Sequence, residues 1–375
     1  SWNQLGYDIN GEAMGDNSGF CVSLSSDGNT VAIGARLNDG HGTSSGHVRI
    51  YTYNGISWSQ LGQDIDGEAP YDISGYSISL SSDGNIIAIG SYENDGGGTS
   101  SGHVRMFIYN GFSWSQLGND IHGESTYDYS SWSVSLSSDG NIVAIGAPYN
   151  DDNGLEAGHV RIYTYNGTAW IQLGQDIDGE ENDDYSGQSV SLSSDGNIIA
   201  IGALYNDGIS GNSVGHVRIY NYNGSAWIKI VDDIDGESDY DFSGYSVSLS
   251  DDGKTVAIGA TGNSSNKGHV RIYQISSNCS GCMDSIAINY NSTVIVDDGS
   301  CIYTYGCTDP LYCNYDSLAT VNNGSCSGMP GCTDSLYAEY SPFANCDDGS
   351  CINFSICAED SPTGLFASNI IHNRA

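Results

Sequence analysis

The sequence predicts an all-β fold: a five-bladed β-propeller closed by its N-terminal strand, followed by a small disulfide-rich repeat tail. Three observations lead there. A unit of about 56 residues recurs five times, its SLSSDG segment starting at Ser23, Ser79, Ser135 and Ser191 and returning as SLSDDG at Ser248. Every unit strings short alternating strands between tight turns, with no helical period. Ten of the eleven cysteines fall between Cys279 and Cys357.

Each unit reads as four strands. Strand a alternates serine with apolar residues, as in Cys21-Val22-Ser23-Leu24-Ser25, and an Asp-Gly turn leads into strand b with its Ala-Ile-Gly, a hairpin signature. After a Gly/Asn/Asp loop, strand c opens at Gly-His-Val-Arg (Gly46, Gly102, Gly158, Gly215, Gly268). Strand d starts at Trp58, Trp114, Trp170 or Trp227.

The fifth unit stops after strand c at Ile275, whereas Ser1-Trp2 to Ile9 is a d-type strand with nothing before it. The N-terminus is therefore expected to supply the missing strand and close the ring, which removes exposed sheet edges. An open solenoid, or part of a larger ring, is the competing reading. Because the chain begins inside a repeat, a leader or further upstream sequence is expected to have preceded Ser1. The expected organisation is a propeller at 1–275, a cysteine-rich tail at 276–357 and a C-terminal extension at 358–375.

The motifs Gly-Tyr-Ser-Val/Ile-Ser-Leu, Asp-Gly-Asn, Ala-Ile-Gly-Ala and Gly-x-Val-x-Ile-Tyr resemble the FG-GAP repeats of integrin α-chain propellers and their secreted relatives. The resemblance covers about three quarters of the chain. Calcium-binding members of that family carry an Asp-rich DxDxDG loop between strands a and b; this chain has Ser-Ser-Asp-Gly, or Ser-Asp-Asp-Gly, so the family's calcium sites do not carry over.

Charge narrows the partners. With 46 acidic against 10 basic side chains, the formal net charge is −36, which repels nucleic acid and anionic lipid and favours cations. No run of eighteen apolar residues exists, so no membrane insertion is expected.

Each unit also repeats three acids: Asp8, Glu12 and Asp16; Asp64, Glu68 and Asp72; Asp120, Glu124 and Asp128; Asp176, Glu180 and Asp184; Asp233, Glu237 and Asp241. Several hard oxygens on one connection suit calcium, the one cofactor considered. The alternative, weighed more heavily, is turn formation and pairing with the repeated Arg49, Arg105, Arg161, Arg218 and Arg271 as structural ion pairs. His47, His103, His159, His216 and His269 share a blade face with those arginines and are read as packing residues, not ligands. A site that repeats in every unit lacks the asymmetry of a catalytic constellation, so the chain is expected not to be an enzyme.

The tail repeats every 25 residues, from Gly281-Cys282-Met283-Asp284, Gly306-Cys307-Thr308-Asp309 and Gly331-Cys332-Thr333-Asp334 to a Gly-Ser-Cys nineteen positions past each first cysteine. Loops this small cannot bury a core, so bridges Cys282–Cys301, Cys307–Cys326 and Cys332–Cys351 are expected in an oxidising, extracellular or cell-surface setting. Zinc is the alternative, weakened by the lack of paired CxxC knuckles. The carboxylates beside these cysteines serve turns or calcium. Cys279, Cys313, Cys346 and Cys357 are left to link successive repeats or neighbouring molecules, and Cys21 to remain a free thiol. The tail is similar to GCTD…DDGSC repeats of secreted surface proteins. Seven glycosylation sequons occur, at Asn166, Asn223, Asn263, Asn278, Asn291, Asn323 and Asn353.

The function these features suggest is an extracellular structural or adhesive glycoprotein, self-assembling with copies of itself head to tail into a filament, appendage or matrix. A lectin-like propeller that binds surface glycans is the alternative, and a polysaccharide-active enzyme the least favoured.

Overall fold

In a computed structural model, residues 1–208, 211–275, 280–291, 294, 296, 297 and 299–353 are described. The chain divides into two units, Ser1–Ser276 and Ser277–Ala375. Cys279, Cys357, Asn278 and the 358–375 extension lie outside the described residues.

The first unit is built of repeated antiparallel sheets, or blades. The first comprises β1 (Ser18–Leu24), β2 (Thr30–Ala35), β3 (His47–Tyr53), β4 (Trp58–Gln60) and the short β5 (Ile65–Asp66). Both β4 and β5 pair with β3, so strand d comes in two pieces. The second holds β6 (Ser77–Leu80), β7 (Ile86–Ser91), β8 (His103–Tyr109), β9 (Trp114–Gln116) and β10 (Ile121–His122). The third holds β11 (Ser133–Leu136), β12 (Ile142–Ala147), β13 (His159–Tyr165), β14 (Trp170–Gln172) and β15 (Ile177–Asp178). The fourth holds β16 (Ser186–Leu192), β17 (Ile198–Ala203), β18 (His216–Tyr222), β19 (Trp227–Lys229) and β20 (Ile234–Asp235). The fifth sheet has three strands only, β21 (Ser243–Leu249), β22 (Thr255–Ala260) and β23 (His269–Gln274).

Alternation makes every blade two-faced, and the apolar faces are buried between successive blades. Ala32, Val48, Ile50 and Ile65 of the first blade form one core with Leu80, Ile87, Ile89, Phe107 and Trp114 of the second. Ala144, Val160, Ile162 and Ile177 of the third blade meet Leu192, Ile199, Ile201 and Trp227 of the fourth in the same way. The serines of strand a link the blades: the hydroxyls of Ser23, Ser79, Ser135 and Ser191 accept from the N–H of Leu80, Leu136, Leu192 and Leu249. The strand-b glycine permits the approach, since a Cβ on Gly34 would lie 2.2 Å from the Gly75 carbonyl oxygen of the next blade.

The expected ring closure is not formed. Residues 1–17 contain no strand, and the outer edge of β23 has no partner strand among the described residues. The N-terminal segment is instead anchored on the first blade: Trp58 Nε1 donates to the Leu5 carbonyl (2.9 Å) and Arg49 Nη2 to that of Asn10 (2.8 Å). Trp114 binds Leu61, and Arg105 binds Asp66, by the same repeat positions. Residues 1–12 thus hold the place of a preceding blade's strand d, but the fifth blade is not beside them. Closure would bury the end faces, and both are open: Leu24 is 57% exposed where Leu80 is 8%, and Val270 and Ile272 are 68% and 71% exposed where Val48 and Ile50 are 0%. Four full blades and a three-stranded fifth form an open array.

In the second unit, β24 (Ser280–Gly281) pairs in parallel with β25 (Val296–Asp297), and β26 (Tyr305–Gly306) with β27 (Val321–Asn322). Disulfides join Cys282–Cys301, Cys307–Cys326 and Cys332–Cys351 within the repeats, and Cys313–Cys346 across two of them.

Equivalent residues should therefore differ in value by position. Ile162→Ala, in an interior core, is expected to cost about 2–5 kcal/mol, and Ile272→Ala, on the open face, less than about 0.5 kcal/mol. Urea unfolding of the two variants measures the difference.

Candidate functional site

The polar counterpart of each core lies at the start of strand c, where His and Arg point to one face. Each arginine binds the backbone of the connection that enters its blade: Arg49 to Asn10, Arg105 to Asp66, Arg161 to His122, Arg218 to Asp178 and Arg271 to Asp235. The first four also lie 3.2–3.7 Å from a carboxylate oxygen of Glu12, Glu68, Glu124 and Glu180.

The three repeated acids have different positions. Asp16, Asp72, Asp128, Asp184 and Asp241 are buried, accept backbone N–H bonds in their own turns, and take a side-chain amide from Asn38, Asn94, Asn150, Asn206 and Asn263 respectively. Burial pushes the Asp128 and Asp184 carboxyls above the usual carboxylate range, against the pull of those bonds. Asp8, Asp64, Asp120 and Asp176 accept from Gln4, Gln60, Gln116 and Gln172, and Asp233 accepts from Lys229. The acids that meet come from successive units: Glu12 with Asp64, Glu68 with Asp120, Glu124 with Asp176 and Glu180 with Asp233, each pair around a histidine Nδ1.

The first two sets have His47 and His103 Nδ1 at 3.8–3.9 Å from the glutamate and 4.0 Å from the aspartate. Asp152 joins the third set, around His159. In the fifth, His269 lies 3.7 Å from Glu237, and no strand-d acid among the described residues completes it. Burial first, and then the adjacent arginine, push His103 and His159 down to about 3 and His216 to about 4, so these imidazoles are neutral at pH 7.

The histidines' position among carboxylates was missed from sequence, as were Asn38 and its equivalents and Lys229. The available signal was the constant spacing of Glu, His and Asp through the units. Asn263, a sequon, uses its Nδ2 to bind Asp241, whereas Asn166 and Asn223 are exposed in turns that their Oδ1 atoms organise. In the tail, Asn291, Asn323 and Asn353 are exposed, and the Asp284, Asp309 and Asp334 carboxylates accept from Ile286, Leu311 and Leu336 N–H in turns. Cys21 is the one free cysteine among the described residues. Its thiol donates to Gly75 O as Ser77 does to Ser131 O, and burial pushes it up to about 12.

Residues 123–163 match the family described as FG-GAP repeat. No curated protein matches the chain. A periplasmic gluconolactonase from Pseudomonas aeruginosa is similar at 13% identity and TM-score 0.41, over 68% of this chain and 72% of its own. A protein named as a 6-phosphogluconolactonase from Bacteroides uniformis is similar at 12% and 0.41, over 69% and 82%. So is the β-propeller domain of the trilobed protease from Pyrococcus furiosus, at 12% and 0.41 over 68% and 67%. The expectation that the chain is not an enzyme is corrected here: structures named for lactonase activity resemble it, so repetition and fold do not exclude catalysis. Likeness at this level carries no activity to this chain. The FG-GAP match and the disulfide-rich tail fit an extracellular protein, and no helix among the described residues is long and apolar enough to cross a membrane.

Because the folded pKa values of His103, His159 and His216 lie below the unfolded value, the unfolded chain binds more protons in the acid range. Their contribution is fully present above about pH 6.5 and is lost progressively as pH falls towards 4. Denaturation midpoints measured from pH 7.5 to 4.5 should fall, and His159→Gln should flatten the slope.

Proposed function

We propose that the protein is an extracellular structural or adhesive subunit whose copies join end to end through the two open faces of the blade array. The observation that carries this reading is complementarity. The first blade exposes Leu24, with Val31 and Ile33 partly open, and the fifth exposes Val270 and Ile272. In the repeat register these are the residues that pack as Leu80, Ile87 and Ile89 against Val48 and Ile50 inside the array. The occupant that fits each face is therefore the opposite face of a second copy.

Trp2, Asn3 and Gln4 correspond to Trp58, Ser59 and Gln60, which pair with Tyr53, Thr52 and Tyr51. In the joined form the N-terminal segment of one copy adds to the free edge of β23 in the next, supplying its strand d. Asp8 then takes the position of Asp64 beside His269 and Glu237, the set that has no strand-d acid of its own. Such a contact is heterologous and leaves two further open ends, so it propagates. Burying four or five aliphatic side chains, at about 1.5–3 kcal/mol each, offsets much of the cost of association. A net charge of −36 opposes it, so salt should favour joining.

A lectin-like reading is supported by a cleft of about 490 Å³ where Tyr185, Tyr205 and Tyr240 stand beside Asp183, Asp207 and Asn212. Rings flanked by carboxylates and amides suit a sugar. The GCTD…DDGSC resemblance suggests the tail is a stapled spacer in such an assembly.

Light scattering and negative-stain electron microscopy across protein and salt concentration test the leading reading. Linear assemblies should grow with both and disappear in Ile272→Glu. A wild-type chain that stays monomeric throughout, or assemblies indifferent to Ile272→Glu, would overturn it. A glycan array on wild type and Tyr205→Ala tests the second.

A further inference from the structure

The strongest chemistry outside the open faces is the histidine at the centre of each carboxylate set. His103 is 0% and His159 1% exposed, and the Nδ1 of each is buried without a hydrogen-bond partner. Glu68 and Asp120 oxygens stand 3.9 and 4.0 Å from His103 Nδ1, and a Glu124 oxygen 3.9 Å from His159 Nδ1. These distances exceed a hydrogen bond, which ends near about 3.2 Å. With the imidazole proton on Nε2, which in His103 also lacks a partner, the Nδ1 lone pair faces two or three carboxylate oxygens, an arrangement that a cation would satisfy.

We propose that the Glu–His–Asp sets of the first three units are sites for a divalent transition cation of the zinc class: Glu12, His47 and Asp64; Glu68, His103 and Asp120; and Glu124, His159, Asp176 and Asp152. Imidazole nitrogen with carboxylate oxygen suits zinc and its neighbours and does not suit calcium, which takes oxygen ligands alone. Ligand atoms of a tetrahedral zinc site lie about 3.3 Å apart. The candidate ligand atoms lie within 4.8 Å of one another, so the sets need to contract by roughly 0.5 to 1.5 Å, and their glutamates, 38–46% accessible, are exposed enough to move. Bound there, the ion ties the connection that enters a blade to that blade's strands c and d.

The fourth unit contains its own control. Where the first three have Gln60, Gln116 and Gln172, it has Lys229, whose ammonium lies 2.9 Å from Asp233 and 4.0 Å from Glu180. A built-in cation already serves these two acids, next to Arg218. The third set is the opposite case, with three carboxylates, Glu124, Asp152 and Asp176, gathered around one histidine against Arg161. Affinity should be highest in the third unit and absent in the fourth.

The test uses the full chain, stripped with chelator, then titrated with zinc chloride by calorimetry and with cobalt(II) by visible absorption. Three more ions are expected per wild-type chain than in a variant carrying Glu12→Gln, Glu68→Gln and Glu124→Gln. Asp152→Asn alone should weaken one of the three by tenfold or more, and Lys229→Gln should add a fourth. Because those glutamates are exposed, the variants are expected to fold, which circular dichroism checks. A cobalt spectrum without nitrogen ligation, equal zinc uptake by wild type and the triple variant, or no uptake at all would overturn the assignment and leave water as the bridge.

Discussion

A blade of this protein buries its apolar side chains only by stacking on another blade. A single sheet has too little interior of its own, and its two faces carry different halves of one core: Ala, Val and Ile on one side, Leu, Ile, an aromatic ring and Trp on the other. The serine-to-Leu hydrogen bonds along the a strands and the glycine contact at Gly34 set how closely successive blades approach. Interior blades satisfy both faces. The first and fifth satisfy one each, and the end-to-end reading follows from that mismatch.

The charged layer obeys the same geometry. Each arginine reaches back to the connection that enters its blade, and the glutamates Glu12, Glu68, Glu124 and Glu180 on those connections each meet a histidine and an aspartate further along. Differences among units sit on this layer: Asp152 adds charge in the third, and Lys229 removes it in the fourth. At the proposed cation sites, similar backbones with graded charge would give graded cation affinity without changing the fold.

Much of this was legible in the sequence because repetition exposes it. The strands, the Asp-Gly turns and the strand starts at Trp58 and its equivalents follow from local alternation and turn chemistry. The closure did not follow: Ser1–Ile9 has the residues of a strand d, and Trp58 and Arg49 hold it in that role, but pairing also needs β23 within reach, a global distance that local pattern does not encode. The carboxylates around the histidines were not legible for a related reason. Alternation placed the histidines on the arginine face, but the acids that meet them lie 35 or 36 residues before and 17 after, a convergence only the folded blade creates. In sequence the Asp16 class reads as one group with Glu12 and Asp8, whereas its buried bond to Asn38 sets it apart in the fold.

Amide hydrogen exchange on the full chain, dilute and concentrated, tests most directly whether the end faces are unmatched until copies join. In dilute solution β7, β12 and β17 should be protected while residues 1–9 and β23 exchange quickly. At high concentration and salt, protection should appear at residues 1–9, β1 and β23 together. Full protection of both ends in the dilute monomer would mean a ring already closed on itself and would contradict the account.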